Sequence, residues 1–488
     1  MDIDLGLSSA SELAAELAAG RLSSRELLAH YLERVQRLNP AINAVITIDA
    51  EAAGQAAAAA DAAFASGGPI GPLHGLPLTV KDAIATKAMR STGGAVELAE
   101  HVPTEDAPVV AAVRQAGAVV FGKTNLPRWS GDAQAFNTLF GTTNNPWDLT
   151  RGPGGSSGGA SAAVAAGLSS FDIGTDIGGS IRLPAHFAGV CGHKPSFGVV
   201  AQLGYLDHST GGNTEADVNV FGPLARSVAD LSLVFDVLAG PTADRAVAWK
   251  LDLPAPRHEQ LSQFRVAAWL DDATCPVASE VAALLEAAVD GLTAAGANID
   301  RAARPDVALR EVWDVGIPLI SAATTPARTD EEWERLTALA AATETDPTMA
   351  MRARASVMSH RDWLLLDEHR QQLRRRWADF FTRYDVLLCP VAAMAAFPHI
   401  QHGSLYSRTL TIDGVERPYA DVLAWTSFIG FVHLPATVVP VGLTAGGLPV
   451  GIQIVAPFLA DRTSLRFARY VEELTGGYQV PPMARLAG

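Results

Sequence analysis

Three segments of this sequence carry residues whose types and spacing could do chemistry. Lysine is scarce: Lys81, Lys87, Lys123, Lys194 and Lys250 are the only five, beside 32 arginines. An arginine stays charged in a protein, whereas a buried lysine can lose its proton, so a lysine kept inside an apolar strand is a candidate base. Lys81 in PLTVKDAI fits this best, and its plainer reading is a strand-end lysine paired with Asp82. The second segment is GGSSGG, Gly154 to Gly159, opening the helical run ASAAVAAG. It reads either as a flexible Gly/Ser loop or as a helix start whose N–H groups hold a polar group. A phosphate loop is excluded, since Ala160 stands where that motif needs Lys. The string also satisfies G-x-S-x-G, centred on Ser156 or Ser157, but the nucleophile elbow needs a preceding apolar strand, which WDLTRGPG is not. The third segment is GTDIGGSIRLPA: consecutive N–H groups from Ile177, Gly178, Gly179 and Ser180 can converge as an oxyanion hole, with the Ser180 hydroxyl beside it. Asp176 and Arg182 flank this turn and are expected to form an ion pair that fixes the loop.

Positioning such loops requires a rigid frame. Two amphipathic helices open the chain, announced by capping boxes at Ser9/Glu12 and Ser23/Glu26; Gly20 is expected to end the first and Asn39-Pro40 the second. The second carries an apolar side and reads as a docking helix. Apolar pieces such as LTVKD and AVVFGKTN alternate with helical runs, which predicts an α/β fold, a single large domain over 1–488 with a central mixed, mostly parallel sheet covered by helices. Residues 240–358 are Ala- and charge-rich and read as a peripheral helical segment without a legible function. Val422 to Ala460 holds no Asp, Glu, Lys or Arg, yet its prolines and glycines break it too often for a membrane span, so it is expected to be core, with short β-branched pieces such as ATVVPV and VGIQIV as buried strands.

PLTVKD, PGGSSGGASAAVAAG and GTDIGGSIRLPAHFAGVCGHKP, in this order and with Ser156 and Ser180 separated by 24 residues, resemble the amidase signature family of serine hydrolases. The resemblance extends through GKTNLPRWSGD, GPLARSVADL, DVLLCPV and GLPVGIQIVAP. It implies a Ser-Ser-Lys triad: Ser180 the nucleophile, Ser156 a bridging serine on a cis peptide, and Lys81 the base, all acting through an acyl-enzyme without cofactor or metal. Ser157 is expected to support the site by hydrogen bonding. Strand-end loop Leu126 to Phe136 is similar to the one that passes under the substrate carbonyl in this family, which points to Trp129, Ser130, Gly131 and Asp132 as pocket residues. Gly204 to Asn219 is polar and Gly-rich, suits a covering loop, and offers Tyr205 as a second wall.

These walls hold aromatic side chains and no arginine expected to face inward, Arg128 being expected to stay exposed. The expected substrates are therefore neutral small-molecule amides or carbamates bearing an aromatic group, as the wording TNLPRWSGD, similar to the aryl-amide and urethane-hydrolysing bacterial branch, also suggests. The rivals are the glutamine-hydrolysing subunit of a tRNA-dependent amidotransferase and a non-catalytic binding protein on the same scaffold. A net charge of −15 disfavours nucleic acid and anionic membranes as partners. Cys191, Cys275 and Cys389 lack disulfide or metal spacing, and the N-terminus lacks a basic region before an apolar one. A cytoplasmic monomer or homodimer is expected.

Overall fold

Eleven short strands pair into one sheet in the computed structural model, which describes residues 4–68, 70–208, 211–342 and 347–486. In chain order the strands are β1 (Val45–Ile48), β2 (Pro77–Lys81), β3 (Val119–Thr124), β4 (Phe171–Asp176), β5 (Cys191–Lys194), β6 (Val220–Ala225), β7 (Arg265–Ala268), β8 (Asn298–Asp300), β9 (Val386–Pro390), β10 (Ala436–Leu443) and β11 (Pro449–Val455). They lie side by side as β1-β3-β2-β4-β6-β5-β10-β11-β9-β7-β8. The sheet is mixed, as expected, but its parallel share is smaller than expected: β3/β2, β2/β4, β9/β7 and β7/β8 are parallel and the other six pairings antiparallel. Parallel neighbours need a long crossover, whereas the chain turns directly from β10 into β11, which forces antiparallel pairing. These two strands, with ATVVPV and VGIQIV, come from the uncharged stretch, whose start instead forms helix Ala424–Gly430, and β9 is VLLCP; all three strands are buried except at the end of β10. Among the described residues no helix is long and apolar enough to cross a membrane.

Both capping boxes form, with Ser9 and Ser23 each accepting the N–H three residues on at 3.2 Å. The helix after Ser23 does not stop at Asn39-Pro40; it runs Ser24–Ile42. Pro40 removes only one bond in the last turn, and the Asn39 side chain takes the N–H groups of Ala44 and Val45 at 2.8 and 2.9 Å. This helix docks as expected, through buried Leu27, Leu28, Tyr31, Val35 and Leu38. Its buried Arg34 also donates to the carbonyls of Ala166 and Gly167, both at 2.9 Å, capping the helix Gly158–Ala165.

Helix Gly158–Ala165 is buried at every residue and packs on β4, β6 and helix Arg182–Ala188. Its small side chains permit this: a Cβ on Gly159 would meet the Asn125 backbone nitrogen at 2.3 Å. Residues 240–358 are not only helical. They supply β7 and β8, which extend the sheet, before helices Leu309–Ala323, Asp330–Ala341 and Pro347–Ser356.

Candidate active site

Strand β2 ends at Lys81, which is completely buried, and its Nζ lies 2.6 Å from Ser156 Oγ and 2.7 Å from Thr175 Oγ1. Burial lowers the Lys81 ammonium from the 10.5 of a free lysine to about 7, against the upward pull of Asp176 and Asp172. Burial alone does not single out this lysine. Lys123 and Lys194 are equally enclosed and lowered to about 8 and about 7. The partners differ: Lys194 donates to the carbonyls of Pro195 and Leu434 at 2.8 and 2.9 Å, and Lys123 to the carbonyl of Ile84 and to Thr86. A carbonyl can only accept. Both partners of Lys81 are hydroxyls, which accept from an ammonium and donate to a neutral amine, so Lys81 alone of the three has only partners suited to both protonation states. Thr175 is a site residue that the sequence did not suggest. Its position at the end of FDIGTD, two residues before Ile177, was the available signal, because alternate residues of a strand face the same side.

Two loops meet over this lysine. The Gly155–Ser156 peptide is cis. Ser157 N–H donates to the Ser180 carbonyl at 3.2 Å, and its hydroxyl donates to the Thr175 carbonyl at 3.2 Å while accepting the Thr175 N–H at 3.3 Å. Ser157 thus ties the Gly/Ser loop to β4 and to the turn after it. Asp176 and Arg182, both fully buried, pair at 2.8 and 3.0 Å, and Asp176 also accepts the Ile181 N–H at 3.1 Å. Arg182 anchors the turn further by donating to the Thr426 carbonyl and Gln453 Oε1, both at 2.7 Å. Between them, Gly179 has φ +134, and a Cβ there would meet Thr426 Oγ1 at 2.2 Å, so only glycine fits. The Gly178 carbonyl accepts from Thr426 and Ser427 at 2.7 and 3.2 Å. In a trans peptide the N–H points opposite the carbonyl, so these bonds fix the direction of the Gly179 N–H.

Ser180, Ile177 and Gly178 open into a cavity of about 250 Å³. Trp129, Ser130, Gly131 and Asp132 line it. Trp129 and Ser130 have φ of 52° and 56°, a conformation costly for a bulky side chain; a bond from Trp129 N–H to the Gly93 carbonyl at 2.8 Å helps hold it. Tyr205 does not line this cavity. It is 3% exposed, bridges to Ile84 and packs edge-on against Phe221, because its backbone pairs like a strand and draws the ring into the core. Burial and Asp207 push its hydroxyl up to about 12. Residues 209–210 of the expected covering loop lie outside the described residues. Arg128 reaches the cavity edge, where it is partly exposed and paired with Glu97 at 2.5 Å.

The wall that the sequence missed comes from residues 240–358. Trp313, Ile317 and Ile320 lie one turn apart on helix Leu309–Ala323 and face the cavity, while Leu309, Val312 and Leu319 of the same helix face the core. A helix apolar on two sides was the visible signal. Arg328 and Arg352 line the cavity as well, so the reasoning that the pocket holds no arginine besides Arg128 does not stand.

The family model described as Amidase matches residues 26–465. A glutamyl-tRNA(Gln) amidotransferase subunit from Synechococcus sp. (strain CC9605) is 32% identical over an alignment of 495 residues, covering 96% of this chain and 97% of that protein. The indoleacetamide hydrolase of Bradyrhizobium diazoefficiens is 31% identical over 471 residues, covering 96% and 86%. Among solved structures, a bacterial aryl acylamidase of the amidase signature enzymes family matches with a TM-score of 0.81 at 25% identity over 98% of each chain. The match takes in both serine loops, Lys81 and nearly the whole sheet, and the chain belongs to the Amidase family of carbon–nitrogen hydrolases.

Proposed function

We propose that this chain hydrolyses small-molecule amides, and carbamates of similar shape, through Ser180, Ser156 and Lys81. The observation that carries the proposal is the 2.6 Å contact between Lys81 Nζ and Ser156 Oγ beneath a cavity into which Ser180 opens. With the amine neutral, Ser180 Oγ attacks the carbonyl carbon; its proton passes to Ser156 as the Ser156 proton passes to Lys81. The carbonyl oxygen becomes an alkoxide held by the N–H groups of Ile177 to Ser180. The relay then runs backward, delivering a proton to the leaving nitrogen as the C–N bond breaks, and water releases the acyl group from Ser180 by the same steps.

Trp129 and Trp313, with Ile317, Ile320 and Phe431, make the cavity suited to an aromatic or aliphatic body. Glutamine hydrolysis for a tRNA-dependent amidotransferase is the second reading, favoured by the relative at 32% identity. The ammonium of free glutamine calls for an acidic partner. Asp132, the acidic residue lining the cavity among the described residues, is already taken by Arg408 and by the Tyr419 hydroxyl at 2.9 Å, which supports the first reading. The test is kcat/KM of the purified protein on an anilide, an aryl carbamate, a primary aliphatic amide, a p-nitrophenyl ester and free glutamine. The anilide or carbamate is expected to lead. Glutamine ahead of both by tenfold or more, about 1.4 kcal/mol of transition-state binding, would overturn the proposal.

A further inference from the structure

Behind the cavity, two buried hydroxyls lie unpaired. Tyr205 Oη and Ser130 Oγ are out of contact with solvent and make no hydrogen bond among the described residues. The Tyr205 ring packs edge-on against Phe221, which pairs with Thr175 across β4 and β6, and its backbone bridges to Ile84, just beyond Lys81. Its hydroxyl has those of Thr175 and Ser130 as neighbours, close enough to pull it down against the upward push of burial and Asp207. Burying hydroxyls without partners is costly, and gaps beside a catalytic group commonly close when substrate binds. The hydrogens around Lys81 show what such a closure supplies. A neutral lysine has one lone pair. To take the Ser156 proton, that lone pair must face Ser156 Oγ, so an amine N–H faces Thr175 Oγ1. The Thr175 hydroxyl then accepts, and its own proton needs a third group. Among the described residues Thr175 Oγ1 bonds to Lys81 alone, and Ser157 engages only the Thr175 backbone.

We infer that Tyr205 is a positioning residue for Lys81: its oxygen accepts the Thr175 proton while its own proton goes to Ser130 Oγ, which leaves the lone pair of Lys81 free for Ser156. The inference rests on the amidase reading of the same site and deepens it. With phenylalanine in that place, the Thr175 proton turns to the Lys81 amine. That bond exists only while Lys81 is neutral, so it favours the neutral form, and it occupies the lone pair that Ser156 needs. Asp172 and Asp176, which act on Lys81 from β4, and Asp207 beside Tyr205 are the same in both proteins.

The experiment titrates Lys81 itself. With only five lysines in the chain, carbon-13 at lysine Cε gives few NMR signals, and that of Lys81 is the one absent from Lys81→Met. In Tyr205→Phe the Lys81 midpoint should fall by roughly half a pH unit or more, about a threefold change in the protonation equilibrium. In a Thr175→Val background the same replacement should move it no further. On an anilide, kcat of Tyr205→Phe should fall about tenfold, the scale of one hydrogen bond, with KM unchanged, while Tyr205→Phe/Thr175→Val should be as active as Thr175→Val. A midpoint unchanged in Tyr205→Phe means a ring that only packs on Phe221, and a raised one means a hydroxyl that donates to Thr175; either overturns the inference, as do equal kcat losses in both backgrounds. The midpoint separates this inference from the amidase reading. Its fall without turnover of any anilide by the wild type would sink the amidase reading and keep the hold of Tyr205 on Thr175. Turnover with an unmoved midpoint would do the reverse.

Discussion

Raising the pH across neutrality should switch this hydrolase on. Burial holds the Lys81 ammonium at about 7 instead of 10.5, and in the proposed mechanism only the neutral amine can accept the proton relayed from Ser180. With a midpoint near 7, about one molecule in ten is competent at pH 6 and about nine in ten at pH 8, so kcat/KM should rise roughly tenfold between them and fall tenfold per unit below pH 6. The assay is aniline release from an anilide between pH 5 and 9.5 at constant ionic strength. Lys81→Ala should lose both the rate and the limb, and Lys81→Arg should be as inactive, because a guanidinium never becomes the base. The same shift has a cost in stability. A lysine whose folded pKa is depressed binds fewer protons in the native than in the unfolded chain between about 7 and 10.5. The penalty is full below 7 and fades as pH rises through that window, at about 1.4 kcal/mol per unit. Lys81→Met should therefore be stabilised by a few kcal/mol at pH 6, less about 1 kcal/mol for each hydrogen bond lost to Ser156 and Thr175, and the gain should vanish at about pH 9. A flat activity profile from pH 6 to 8, a limb that persists in Lys81→Ala, or a Lys81→Met protein less stable than wild type at pH 6 would refute the reasoning.

On the proposed mechanism Ser156→Ala breaks the relay and leaves the nucleophile, so amide turnover should fall about 10²–10⁴-fold; an activated ester, whose leaving group needs little protonation, should lose less, and equal losses on both would contradict the relay. Thr175→Val removes an acceptor from the Lys81 ammonium, so the activity limb should move to lower pH with a reduced kcat, while Thr175→Ser restores both; a limb that stays in place in Thr175→Val would show that Thr175 only packs. Arg182→Met leaves the Asp176 carboxylate buried without its guanidinium and should destabilise the fold by about 3–5 kcal/mol in urea unfolding; a loss below about 1 kcal/mol would contradict the anchoring role.

The chemistry-bearing segments were legible because they are local. Glycines around Ser156 and Ser180, a lysine at a strand end, and capping boxes at Ser9 and Ser23 each act within a few residues of their position. Placement across the fold was not. Helix Leu309–Ala323 reaches the cavity only because the chain crosses the far edge of the sheet through β7 and β8 first, so Trp313 and Arg352 looked remote from Ser180. Tyr205 went astray for the opposite reason: a polar, glycine-rich neighbourhood suggested a surface loop, while its own backbone bridge to Ile84 buries it. Scarcity of lysine pointed to Lys81, but Lys123 and Lys194 are buried as well, and only the hydroxyl partners of Lys81, supplied by two separate segments, set it apart. The parallel share of the sheet was overestimated because strand–helix alternation in the first half of the chain does not extend to the β10–β11 return.

Mapping the residue that reacts with a fluorophosphonate tests the assignment of the nucleophile most directly. The intact protein is labelled across pH 6 to 9, digested, and the modified peptide sequenced by mass spectrometry. The geometry predicts a single adduct on Ser180, formed faster as pH rises through about 7 and absent in Ser180→Ala. An adduct on Ser156, Ser157 or any residue elsewhere in the chain, or undiminished labelling of Ser180→Ala, would contradict it.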